Sequence, residues 1–275
     1  MSGAAHRRRH VHPTEEQSGE MLELYHYEPY ANSMKCLVCL EEKNLAFTSR
    51  YVDILNFEQH EAEFLQVNPN GQVPALAHDG RVIVESTIIN EYLDDTFPDV
   101  PLRPSDTAER ARMRVWSKWT DEILMPTVSM LGWQQRFRPL FQRYDKTELE
   151  RRLRRIPLKE MREKWQTMAG PGFSDEQLEE SRRQIRWFVE RMERALADAP
   201  WLAGTSYSLA DINAYPMIEG ASRLYKEFWS ASNAQRSAEW LARMNKRPAV
   251  MNAFGYSRFK NAPGVARDAE KAMRA

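Results

Sequence analysis

The chain has 275 residues, enough for one large or two ordinary domains with a real core. Its 39 Lys and Arg balance 39 Asp and Glu, which excludes a general electrostatic pull toward nucleic acid or anionic lipid. No apolar run approaches the ~20 residues of a membrane-spanning helix. The first twenty residues, MSGAAHRRRHVHPTEEQSGE, lack the apolar stretch of a secretory signal and read as a disordered leader with a small basic patch. LELYHY then alternates like a half-buried strand, and residues 33 to 44 read as helix. FTSRYVDI reads as a second strand ending at Ile54, and FEQHEAEFLQV as a short helix or turn. VPALAHDGRVIVES reads as two strands joined by a tight turn at His78-Asp79-Gly80. STIINEYLDDTF resumes helical spacing. The order βαβ, short helix, ββ, α predicts a small mixed sheet with helices over residues 21–102.

PDVPLRPSD places three prolines in a short span, which marks a boundary. Beyond it, residues 106–262 have apolar residues at three- and four-residue spacings and predict an all-helical bundle. Breaks are expected near Pro126, Gly170-Pro171-Gly172, Pro200 and Pro248. The Arg-rich stretch from Gln134 to Lys164 has acidic residues mixed in and no aromatic ladder, so it reads as a solvated helical face. Residues 263–275 read as a peripheral tail. The chain has only two cysteines, Cys36 and Cys39, which make no disulfide framework and point to a reducing cytoplasm.

Four local features carry possible chemistry. Pro29-Tyr30-Ala31-Asn32-Ser33 lies at a strand-to-helix junction, where unpaired N–H groups and a partial positive charge favour an anion such as a thiolate. Plain N-capping by Ser or Asn competes with that reading. In NPNGQVPAL, Val73-Pro74 sits at a strand entrance, and a cis bond there would leave the Val73 backbone free for a peptide-like ligand. Glu85-Ser86 ends a strand and begins a helix, suiting a ligand ammonium and carboxylate or an ordinary cap. Ser208-Leu209-Ala210-Asp211 has the spacing of a capping box and reads as structural.

In their order and spacing, ANSMK, FEQHEAEF, NPNGQVPAL, VESTIINEYLDDTFP, RMRVWSKWTDE and YSLADI resemble the glutathione S-transferase superfamily over residues 21 to 260. RVWSKWTDE, SMLGW and the charged insertion before GFSDEQLEE resemble its bacterial branch of lignin β-etherases. The resemblance implies a thioredoxin-like domain followed by a helical domain. It implies glutathione as co-substrate, no metal, an aromatic electrophile as partner and a homodimer. By that resemblance Ser33, with Asn32 beside it, donates to the glutathione sulfur. Val73, with Pro74, pairs through its backbone with the cysteinyl part. Glu85 and Ser86 hold the γ-glutamyl end, and Gln59, His60 and Lys35 lie toward the glycine carboxylate. An aromatic-lined pocket is expected from Tyr30, Trp119, Met130, Trp133 and Phe137.

Glutathione activation has a defined energetic demand. A free thiol titrates near ~8.5, and lowering that by roughly two units takes about 2.7 kcal/mol of preferential anion stabilisation. A charge-assisted hydrogen bond contributes about 1.5–3 kcal/mol and a helix terminus ~0.3–1. Two rival functions remain at this point. One is a glutathione-dependent disulfide reductase or peroxidase, although Cys36-x-x-Cys39 starts one turn too far into the helix for a dithiol mechanism. The other is a binding protein that keeps the transferase fold without catalysis.

Overall fold

A computed structural model describes residues 21–229 and 233–259. The expected leader and the tail therefore lie outside the described residues. Strands β1 (Leu22–His26), β2 (Thr48–Tyr51), β3 (Ala75–His78) and β4 (Arg81–Val84) form one sheet in the order β2-β1-β3-β4. β1 and β2 are parallel and linked by helix α1 (Ala31–Glu42), while β1–β3 and β3–β4 are antiparallel. The alternating sequence of β1 explains its place: Leu22, Leu24 and His26 are buried, while Glu23 and Tyr25 are partly exposed. Helices α2 (Ala62–Val67) and α3 (Ser86–Thr96) complete a thioredoxin-like domain.

α1 and α3 lie side by side in the same direction. Cys36 meets the Ser86 carbonyl, Cys39 the Asn90 carbonyl and Lys43 the Asp94 carboxylate, so residues about fifty apart pair in ascending order. Their N-termini therefore share one end of the domain. Both cysteines are fully buried in this contact, and burial raises both thiol pKa values.

The rest is helical: α4 (Thr107–Trp119), α5 (Met125–Gly132), α6 (Arg138–Phe141), α7 (Lys146–Arg154), α8 (Lys159–Ala169), α9 (Asp175–Asp198), α10 (Leu209–Leu224), α11 (Gln235–Asn245) and α12 (Pro248–Phe254). The breaks at Gly170-Pro171-Gly172 and Pro200 fall between helices, and Pro248 opens α12. The break expected at Pro126 does not occur. α4, α5 and α6 form one continuous rod, interrupted only by π-turns at Thr120–Leu124 and Trp133–Phe137. In each, the bond spans five residues: Met125 N–H to the Thr120 carbonyl, and Arg138 N–H to the Trp133 carbonyl. Each π-turn precedes a proline, Pro126 or Pro139, and the widened turn accommodates a residue that has no N–H to give.

Two apolar cores result. The larger joins α1 and α3 to α4, α5, α9 and α10. The smaller contains Phe57, Phe141, Leu149, Leu153, Ile156, Trp165, Met168 and Phe173. The Arg-rich stretch thus does more than present a solvated face. Arg151 and Arg154 are exposed on α7, while Leu149 and Leu153 pack inward around Phe57.

The Ser208 box forms as its spacing predicts. Ser208 Oγ accepts from Ala210 N–H at 3.3 Å, and Asp211 Oδ2 accepts from Ser208 N–H at 3.1 Å. Asp211 Oδ1 also accepts from Leu202 N–H at 3.1 Å and from the Trp240 indole at 2.8 Å. Burial pushes the Asp211 carboxyl up to about 6, although these donors pull it down.

Candidate active site

The site grows from the end of β1. Chain direction changes over Tyr27-Glu28-Pro29-Tyr30, and α1 begins at Ala31 with Tyr30 as N-cap and no side-chain cap. Ser33 therefore does not cap the helix. It sits in the first turn, 4% exposed, and its Oγ accepts from Tyr27 N–H at 3.1 Å. Because that acceptor role is filled by a backbone donor, the hydroxyl proton of Ser33 is free to point at a ligand. The N–H groups of Ala31, Asn32 and Ser33 are left free by helix geometry. Asn32 Oδ1 has no partner among the described residues.

Strand register brings the other expected residues to the same end. Pairs in β1–β3 run from Leu22↔His78 to Tyr25↔Ala75, and continuing this register sets Val73 opposite Tyr27. The β3–β4 register, with Ala75↔Val84, likewise carries Pro74 toward Glu85. The Val73-Pro74 bond is cis. Val73 has no backbone hydrogen bond to another described residue, so its N–H and C=O remain available.

Glu85 is the N-cap of α3 with φ 69°, and its exposed carboxylate makes no cap bond. Ser86 is 6% exposed, and its Oγ accepts from Lys35 Nζ at 3.4 Å. A lysine ammonium only donates, so the Ser86 proton, like that of Ser33, is directed elsewhere. Of the five non-glycine residues with positive φ, Ala31, Phe57 and Glu85 border this region. Such conformations persist where the surroundings over-determine them, and they concentrate at ligand sites.

Gln59 and His60 end a short 3₁₀ turn, Glu58–His60, and are 4% and 5% exposed. Gly71 has φ 63°, and a Cβ there would lie 2.7 Å from His60 Cδ2, so the backbone passes directly under the ring. Burial first, and then the Arg155 charge, bring the His60 imidazole down to about 4. The ring is thus neutral near pH 7. His60 Nδ1 and Gln59 Oε1 have no partners among the described residues.

Lys35 pairs with neither Gln59 nor His60. It is fully buried where α1 meets α3, paired with Asp121 at 2.6 Å and beside Ser86. Asp121 is a residue that sequence reading did not find, because an acid 86 positions from Lys35 gives no local signal.

The expected aromatic pocket is dispersed. Tyr30 stands beside Tyr27, ring centroids 5.6 Å apart, and burial raises its pKa so that it stays protonated. Trp119 packs with Trp116 and Trp187 between α4 and α9. Met130, Trp133 and Phe137 join the smaller core, with Trp133 5.0 Å from Trp165. The physical reason is that one rod serves two cores, and residue spacing does not say which core a face meets. Arg136, on the opposite side of the same π-turn, puts its charge near Tyr30, Glu219, Arg223 and Tyr225, and sequence reading missed it.

These features suit a tripeptide with a sulfur at Ser33, an extended middle on Val73, an amino-acid end at Glu85 and Ser86, and a carboxylate near Gln59 and His60. No group of His, Cys, Asp or Glu able to hold a metal occurs among the described residues. No described helix is long and apolar enough to cross a membrane.

Comparison with known proteins identifies the family. The family profile for the glutathione S-transferase N-terminal domain matches residues 20–95, and that for the C-terminal domain matches residues 175–251. Protein LigF of Sphingobium sp. is 41% identical over 243 residues, which is 86% of this chain and 94% of that protein. The crystal structure of β-etherase LigF from Sphingobium sp. superposes with TM-score 0.82 at 40% identity, covering 86% of this chain and all of that one. A glutathione transferase family member from Pseudomonas fluorescens, solved with two glutathione bound, has TM-score 0.65 at 23% identity. It covers 87% of this chain and 95% of its own, and it shares the fold.

Proposed function

The chain belongs to the glutathione S-transferase family and is a glutathione transferase, and from that premise we propose that it cleaves β-aryl ethers of the lignin type. The observation that carries this is the polarity of Ser33. Its oxygen is occupied by Tyr27 N–H at 3.1 Å, so its proton is presented as a donor to the glutathione sulfur. Together with the free N–H groups of the first turn, it favours thiolate over thiol. Ser33 keeps its own proton throughout.

The reaction is a displacement. The thiolate attacks the carbon that bears the aryloxy group, next to a ketone that activates it. The new bond is C–S, the bond broken is C–O, and its electron pair leaves with the phenolate. The products are a glutathione thioether and a phenol, with no net oxidation. Val73 holds the cysteinyl part, Ser86 and Glu85 the γ-glutamyl end, and neutral His60 with Gln59 the glycine carboxylate. Asp121 has one oxygen on Lys35, which also reaches Ser86, and is the helical domain's contribution at that end. Tyr30 forms one wall for the aromatic electrophile, and Arg136 supplies positive charge toward the departing phenolate.

Likeness to LigF supports the choice of substrate class. The dithiol alternative has no support, since both thiols are fully buried and point at carbonyls of α3. We place the enzyme in a reducing cytoplasm as a homodimer. Exposed Val82, Ile88 and Val115 on β4, α3 and α4 offer an apolar face for a second copy. The deciding experiment is product analysis with glutathione and a β-aryl ether ketone. Release of phenol with formation of the thioether supports the assignment. Reaction with a generic chlorinated aromatic but no phenol from the ether reduces it to an unspecialised transferase.

A further inference from the structure

We infer that the segment containing α7 and α8 is a support for the glycine end of glutathione, with Arg155 as its positioning residue. This rests on the glutathione reading above. Residues 138–173 lie between the two family profiles, and neither profile covers them. They build the smaller core, to which the N-terminal domain contributes one buried residue, Phe57. Phe57 takes a left-handed conformation, φ 63°, and inserts among Phe141, Tyr144 and Trp165 at centroid distances of 5.6, 6.4 and 5.2 Å. The ring is thereby fixed two residues before Gln59.

The backbone around it is held from the same segment. Tyr144 OH donates to the Leu55 carbonyl at 3.1 Å, Arg152 to the Asn56 carbonyl at 2.9 Å and Arg155 to the His60 carbonyl at 3.0 Å. Arg155 also pairs with Glu61 at 2.5 Å. Stretch 52–61 contains no strand and only a three-residue 3₁₀ turn, and its own bonds, centred on Asp53 and Glu58, are local turn bonds. The helical segment ties that turn to a second body. It takes the backbone carbonyls and leaves Gln59 Oε1 and His60 Nδ1 without partners. The loop is therefore held at its backbone while the His60 ring nitrogen stays available to donate to the carboxylate. The Arg155 charge also helps keep the imidazole neutral, so His60 meets the ligand as a fixed hydrogen-bonding group.

A support of this kind predicts a loss confined to glutathione affinity. In the full chain, Arg155→Gln should raise the KM for glutathione roughly tenfold, the scale of one charge-assisted hydrogen bond, and leave kcat within about twofold. Amide exchange at residues 55–61 should quicken in parallel. Arg155→Lys keeps the charge without the fork and should fall between. Arg151→Gln is the control, because that exposed side chain bonds Glu148, and it should change neither quantity. Titration calorimetry with glutathione alone separates the two levels of inference. If the native enzyme binds no glutathione, the functional reading falls and this one with it. If the native enzyme binds and both Arg155 variants match it in KM, or lose kcat and melting temperature with KM unchanged, Arg155 is only structural and the proposal is overturned.

Discussion

Two helices of this protein begin with a serine and an acid or amide close by, and they treat it in opposite ways. At the start of α10, Ser208 and Asp211 form a closed box in which Asp211 accepts from Ser208, Leu202 and Trp240. At the start of α1, Ser33 caps nothing, accepts once from Tyr27 N–H and keeps its proton, while Asn32 Oδ1 has no partner. The first arrangement is saturated and belongs to the fold. The second is deliberately incomplete until a ligand arrives. Residue type does not separate them, since serine is a common N-cap at either place. The balance of donors and acceptors does.

The largest effect should come from the saturated end. Asp211→Ala leaves the Ser208, Leu202 and Trp240 donors buried without acceptors, and should cost about 3–5 kcal/mol of unfolding free energy in denaturant titration. Activity per folded molecule should change little. Ser33→Ala should do the reverse. Loss of one preorganised donor at a developing or resident anion lowers turnover about 100-fold, whereas the orphaned Tyr27 N–H costs only ~1 kcal/mol. Absorbance of bound thiolate at neutral pH should fall in that variant. The comparison breaks if Ser33→Ala unfolds the protein as much as Asp211→Ala, or if the Asp211 variant melts normally and loses activity.

The pH dependence of stability sharpens the contrast with a smaller effect. The Asp211 carboxyl is raised in the fold to about 6, so the native state holds the extra proton and this group's contribution falls as pH rises from about 4 to 6. His60 is lowered to about 4, so the unfolded chain holds the extra proton and its contribution rises with pH from about 4 to 6.5. Each term is on the order of 3 kcal/mol and they oppose. Asp211→Asn should therefore steepen the gain in stability between pH 4 and 6, and His60→Asn should flatten it. Denaturant midpoints measured across that range test both signs.

Much of this was legible in the chain because short-range patterns dictate it. LELYHY has one buried face, and the Ser208 box is written in four consecutive residues. Asn-Pro, Asn-Gly and Val-Pro fixed the chain's turns near β3. What stayed hidden was decided at long range. Asp121 reaches Lys35 across 86 residues, and Arg155 reaches His60 across 95. Trp133 and Phe137 have helical spacing that suits a ligand pocket or a core equally well, and Trp165 and Phe57 decide for the core. Pro126 looked like a stop because the sequence does not reveal that one extra residue in the preceding turn can absorb it.

That extra residue also sets an angle. Successive residues advance about 100° around a helix, so adding one to a turn re-indexes everything downstream by that amount. Before the second π-turn the rod offers Leu124, Val128 and Leu131 to the larger core; from it onward, Phe137 and Phe141 engage the smaller. The rod thus works as a keyed coupling between two separately packed bodies. Its length is fixed to the single residue: a deletion within 133–137 would swing Phe141 away from Phe57 and free the 55–61 loop while leaving every residue of that loop unchanged.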